Sequence, residues 1–154
     1  MTNEKVLVIG SCGQLGTELV EALRGIYGDS NVIASDVKKS DNPVFDGGPF
    51  ETLDILDADG LGAVIQKYKP TQVYHLAALL SATAEKNPEF GWKLNMEGLF
   101  HVLNAARDTG IIKKVYWPSS IAAFGPNTER FGTPQYGTMA VSYTHLTLPT
   151  NREV

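Results

Sequence analysis

The stretch Gly10-Ser11-Cys12-Gly13-Gln14-Leu15-Gly16 restricts the fold of this chain more than any other. It follows the four-residue apolar run Val6–Ile9 and opens a run with Leu19, Val20 and Leu23 at helical spacing. A buried strand must therefore pass straight into a helix. In the GxxGxxG spacing each glycine has its own role. Gly10 permits a tight turn, Gly13 lets backbone approach a pyrophosphate, and Gly16 lets helix and strand pack closely. The helix N-terminus offers free N–H groups and a partial positive charge to the phosphates. The same spacing also suits a plain strand-to-helix turn.

The rest of the chain alternates in the same way. Strands are expected at 32–34, stopping at Asp36, then at 50–54, 73–76 and 115–118. Helices are expected at 17–24, ended by Gly25, at Ala58–Tyr68, and at 90–109, ended by Gly110. In the second helix Leu61, Val64, Ile65 and Tyr68 share a face; in the third, Leu94, Leu99, Val102, Leu103 and Ala106 are expected inward. Residues 38–49 hold Pro, Gly, Asn and Asp and read as a loop. Alternating strands and helices imply βαβ units and an α/β fold. Right-handed crossovers then give a doubly wound parallel sheet with helices on both faces, in the order 3-2-1-4-5. After Phe124 the alternation stops, so the sheet is expected to be truncated before its last strands.

Length and composition exclude other classes. At 154 residues the chain suits one domain, and its apolar runs are far too short to span a bilayer. A net charge of −4 and the lack of a basic patch argue against a nucleic-acid partner. One cysteine, Cys12, precludes an internal disulfide and a cysteine metal cluster, which fits a cytoplasmic chain without metal.

Two acidic positions extend the nucleotide reading. Asp36, at the end of the second strand, stands where a carboxylate accepts hydrogen bonds from an adenosine ribose and repels the 2′-phosphate of NADP, which favours NAD. Lys38 and Lys39 could tolerate that phosphate, and Asp36 could instead cap a turn. Asp54-Ile55 could meet adenine, with the carboxylate on its amino group and Ile55 on the ring, or could form a turn.

Together with Asp36 and Asp54-Ile55, the segments Val8-Ile9-Gly10 through Gly16, His75-Leu76-Ala77-Ala78, Asn95-Met96-Glu97-Gly98 and Pro118-Ser119-Ser120-Ile121-Ala122-Ala123-Phe124-Gly125 form a recognisable set. The chain resembles the extended short-chain dehydrogenase/reductase superfamily, the NAD-dependent epimerase/dehydratase group, from about Lys5 to Met139. IGSCGQLGTEL, LAALLSATAEKNPEFGWKLNMEG and PSSIAAFGPNT resemble its short-chain-type L-threonine 3-dehydrogenases. The resemblance implies a Rossmann-type fold and an NAD cofactor. It implies that Gly10, Cys12, Gly13, Gln14, Leu15 and Gly16 form the phosphate turn, that Asp36 holds the ribose, and that Asp54 and Ile55 face adenine. Leu76, Ala77 and Ala78 would wall the cofactor, and Asn95 would hydrogen-bond backbone near the central strands. Ser120 would be catalytic, bonding the reacting hydroxyl, and Ser81 would lie beside the amino-acid substrate. The implied reaction oxidises L-threonine to 2-amino-3-ketobutyrate by hydride transfer to the nicotinamide. Full-length relatives of this kind are expected to form homodimers. A nucleotide-sugar epimerase or dehydratase uses the same frame, and a non-catalytic NAD-binding protein is the alternative from a different class.

The family's catalytic Tyr-x-x-x-Lys pair does not occur here. Tyr116, Tyr136 and Tyr143 are followed four residues later by Ser120, Ala140 and Thr147, and no lysine follows Lys114. Spacing from Ser120 expects the pair near positions 145 and 149, which hold His145 and Pro149. Residues 1–139 thus read as an incomplete NAD-binding domain and 140–154 as an atypical, non-native tail, with a C-terminal substrate domain absent. Such a chain is expected to bind nucleotide and turn over little or nothing. Of the remaining residues, His75 reads as a packed strand residue and Asp57 with Asp59 as a helix cap with first-turn charge. His101 reads as surface or dimer interface, and Phe90 and Trp92 as core or interface.

Overall fold

The computed structural model describes residues 4–79 and 81–118, so Ser119, Ser120, the tyrosines at 136 and 143, His145 and the whole 140–154 segment lie outside the described residues. Five parallel strands form one sheet in the order β3-β2-β1-β4-β5. They are β1 (Val6–Ile9), β2 (Val32–Asp36), β3 (Phe50–Thr52), β4 (Gln72–His75) and β5 (Lys114–Tyr116). The order is the one expected, with the reversal of winding between β1 and β4. Every residue of β1 is buried, because helices cover both faces of a parallel sheet and leave no polar side.

The alternation of side chains divides the core into two layers. Leu7, Ile9, Ile33 and Val73 pack with Leu61, Val64 and Ile65 of α2 (Ala58–Tyr68) and with Val102. Val6, Val8, Val32 and Ala34 pack on the other face with Val20 and Leu23 of α1 (Gln14–Tyr27) and with Phe45. Asp57 caps α2 by accepting the Gly60 N–H at 2.9 Å. Two short turns of helix complete the set before the long one: Asp29–Asn31 and Pro43–Asp46.

Three helix details differ from the sequence expectation. α1 passes through Gly25 and ends at Gly28, whose φ of +86° breaks the helix while its N–H donates to the Arg24 carbonyl at 2.8 Å. The helix expected at 90–109 starts earlier. After α3 (Ser81–Ala84), Asn87 accepts the Phe90 N–H at 3.2 Å and Pro88 takes the first position of α4 (Pro88–Trp92). The chain then runs through a wide π turn, Lys93–Glu97, into α5 (Gly98–Thr109). Leu103 is 43% exposed instead of inward, since Leu99 and Val102 take the core face and the next residue lies about 100° further round.

Candidate functional site

Because β1, β2 and β4 run parallel, their carboxyl ends open on one edge, the usual place for a ligand where the winding reverses. Gly10 makes the turn out of β1 with φ +81°, a conformation that side chains disfavour. A Cβ there would stand 2.5 Å from the Ala77 backbone nitrogen, so the missing side chain also lets the segment after β4 close against the turn. A Cβ on Gly16 would meet the Gly10 carbonyl oxygen at 2.5 Å, and α1 packs against the turn only because none is there. Gly13 differs: its φ is −72° and a Cβ would find its nearest neighbour at 3.5 Å. The space above Gly13 is an open cradle. No side chain caps α1 at Gly13, so the first helical N–H groups face that cradle.

The turn is stitched to β2. Gly10 and Ser11 both donate their N–H to the Ser35 carbonyl, at 2.9 and 3.0 Å. The Cys12 N–H donates to Asp36 Oδ2 at 2.8 Å, and the Val37 N–H to Asp36 Oδ1 at 2.8 Å. The carboxylate is thus aimed by two backbone donors, and lone pairs remain on both oxygens for a ligand hydroxyl. Arg24 fixes the following loop. Its buried guanidinium donates to the Val44 carbonyl and, at 3.4 Å, to that of Pro49. Burial lowers its pKa, and the neighbouring Asp29 acts in the opposite sense.

A cavity of about 240 Å³ lies over this edge. Of the residues singled out from sequence, Gly10, Gly13, Asp36, Asp54, Ile55, Leu76, Ala77 and Ala78 line it. Asp54 is exposed and also accepts the Leu56 N–H at 2.9 Å, so it forms a turn and borders the cavity at once. Gln14 and Leu15 are exposed on the first turn of α1, beside the cavity lining. Gly16 lies beneath it as a packing residue. Asn95 is buried, and its amide clamps Leu79 by accepting its N–H at 2.7 Å and donating to its carbonyl at 3.3 Å. Ser81 opens α3, but its side chain, like Ser120, lies outside the described residues.

Ile9, Val37, Leu53 and Leu94 also line the cavity and escaped the sequence reading. Val37 carried a signal, being an apolar residue directly after the strand-ending acid; Leu94 was expected inward on its helix, but its place at the cavity was not. His101 also holds more than a surface position: its Nδ1 lies 2.8 Å from the Ile55 carbonyl oxygen. His75 is fully buried and neither ring nitrogen has a partner, and burial lowers its pKa to about 4. Among the described residues no cluster of His, Cys, Asp or Glu could hold a metal ion.

The open cradle over Gly13, the uncapped helix N-terminus and the aimed Asp36 carboxylate fit a dinucleotide across the edge of the sheet. The chain belongs to the NAD dependent epimerase/dehydratase family, whose model matches residues 6–146. It is 45% identical over 133 residues to an uncharacterised epimerase/dehydratase of Staphylococcus saprophyticus, covering 86% of this chain and 41% of that protein. Among solved structures it is similar to a partial-consensus L-threonine 3-dehydrogenase, with 48% identity, a TM-score of 0.80, and coverage of 91% of this chain and 46% of that one. The holo form of a GalE-like L-threonine dehydrogenase from Cupriavidus necator matches at 44% identity, a TM-score of 0.80 and the same coverages, 91% and 46%. The chain therefore spans less than half the length of these relatives. NAD is the cofactor of the family.

Proposed function

We propose that this chain is the NAD-holding part of an L-threonine 3-dehydrogenase. The observation that carries the reading is the cavity lined by Gly10, Gly13, Asp36, Asp54 and Ile55, in a chain 48% identical to such an enzyme. When bound, NAD supplies the hydride acceptor for oxidation of the 3-hydroxyl of threonine to 2-amino-3-ketobutyrate.

The chain's own residues do the binding and orienting. The N–H groups at the start of α1 receive the pyrophosphate, and Gly13 lets it approach. Asp36 accepts from the adenosine ribose hydroxyls, while Asp54 and the edge of Ile55 border adenine. Leu76, Ala77 and Ala78 wall the cofactor on the β4 side, and Asn95 holds that wall through Leu79. Ser120 bonds the reacting hydroxyl and Ser81 lies beside the substrate. In the assembled enzyme a second copy packs on the helix at 88–109, where Phe90, Trp92, Phe100 and Leu103 are exposed.

Titration of the chain with NAD tests the cofactor role, and NAD binding without threonine-dependent NADH is expected from these 154 residues. The substrate is tested on a protein that joins this domain to the remaining length of its relatives. Threonine-dependent NADH formation is expected there. Conversion of UDP-sugars with no response to threonine would assign the domain to a nucleotide-sugar enzyme instead.

A further inference from the structure

His101 stands behind the site, on α5 and outside the cavity lining. Its half-buried ring places Nδ1 2.8 Å from the Ile55 carbonyl oxygen. A carbonyl only accepts, so Nδ1 carries the proton of this bond. Gly98, one turn earlier on the same face of α5, meets the Ile55 side chain: a Cβ there would stand 3.1 Å from Ile55 Cγ2. One helix thus holds Ile55 by its backbone and by its side chain. The rest of the segment is bonded differently. Leu53 donates its N–H to the Asp36 carbonyl at 2.9 Å, and the N–H groups of Leu56 and Asp57 both return to Asp54, each at 2.9 Å. The bonds within 54–57 set the shape of the turn. The grip from α5 sets where Ile55 and the adjoining Asp54 carboxylate stand.

We propose that His101 is a positioning residue for the base of the dinucleotide: its Nδ1–H holds the Ile55 carbonyl and so keeps the Asp54 carboxylate placed to accept from the 6-amino group of adenine. The proposal rests on the NAD reading above and adds to it a residue that touches no cofactor atom. Leucine removes the donor and keeps an apolar body against the segment. Asparagine keeps a donor, because its amide nitrogen can take the place of Nδ1.

The test is calorimetric titration of the chain with NAD and with nicotinamide hypoxanthine dinucleotide, in which an oxygen replaces the 6-amino group, on the wild type, His101→Leu and His101→Asn. The wild type is expected to prefer NAD. His101→Leu should lower that affinity ratio by about fivefold, the factor carried by one net hydrogen bond, and His101→Asn should hold it near the wild-type value. A residue that served stability alone would weaken both dinucleotides alike and leave the ratio unmoved. Should the leucine variant not fold, His101→Met, which also lacks the donor, replaces it. An unchanged ratio in the donor-free variant overturns the positioning role while NAD binding stands. A ratio that falls equally in His101→Asn also overturns it, since the donor is then irrelevant. A wild type that binds the two dinucleotides equally overturns it as well, because no amino group is then being read. A wild type that binds neither overturns both the positioning role and the NAD reading.

Discussion

The three glycines of the turn do different physical work, and single substitutions separate them. Gly10 has a positive φ and a backbone nitrogen 2.5 Å from its would-be Cβ, and Gly16 has a carbonyl oxygen at the same distance. Gly10→Ala and Gly16→Ala must displace main chain, so each should cost about 2–4 kcal/mol, read as a lower urea midpoint. Gly13→Ala meets nothing closer than 3.5 Å and should change stability by only about 1 kcal/mol. Its methyl group would still enter the cradle, so NAD affinity should fall at least about tenfold. A Gly13→Ala chain that binds NAD as tightly as wild type would move the pyrophosphate elsewhere. The spacing of the glycines was legible in the sequence because each occupies a strand-to-helix junction. That Asp36 is aimed by the N–H groups of Cys12 and Val37 was not, because those bonds form only when the turn folds back on β2.

At the level of elements, β1 and β2 were legible as short apolar runs, whereas β3, β4 and β5 carry only one or two apolar residues each and were legible from their alternation with the helices. Their ends were less so: β3 stops at Thr52, freeing Leu53 to line the cavity. The π turn at Lys93–Glu97 left no trace in periodicity, since one wide turn shifts the helical phase without altering composition. Its consequence is functional in placement. It sets Asn95 against Leu79, directly after the wall residues Leu76, Ala77 and Ala78. Asn95→Ala would leave the N–H and carbonyl of half-buried Leu79 without their side-chain partner, at a cost of about 1 kcal/mol. The expected signature is local: the Leu79 amide exchanges its hydrogen faster in Asn95→Ala, beyond what the global loss of stability explains. Leu79 exchange that only tracks global unfolding would make Asn95 an ordinary core residue.

At the scale of the whole molecule, His75 couples the fold to pH. It stands at the end of β4 beside Ile9, and its Nε2 lies 3.6 Å from the Cβ position of Gly98 on α5. Burial there disfavours the charged ring and takes its pKa from 6.5 to about 4. Above pH 6.5 the ring is neutral in both folded and unfolded chains and adds no pH dependence. Between pH 6.5 and 4 the unfolded chain binds a proton that the folded chain refuses, so stability falls as pH falls, by about 3 kcal/mol over the interval. Below pH 4 this loss levels off. The carboxylates of Glu4, bonded by Thr71 and Gln72, and of Glu51, bonded by Lys67 and Tyr68, lie below the ordinary 4.5, so their own losses begin where that of His75 is nearly complete. Urea titrations at pH 7, 6 and 5 on wild type and His75→Leu isolate the effect, because the leucine fills the site without titrating. The wild type should lose stability across that series while His75→Leu changes far less. Equal slopes in the two proteins would mean that the His75 ring gains a proton without unfolding, and the tight seam between β4 and α5 would then have to be abandoned.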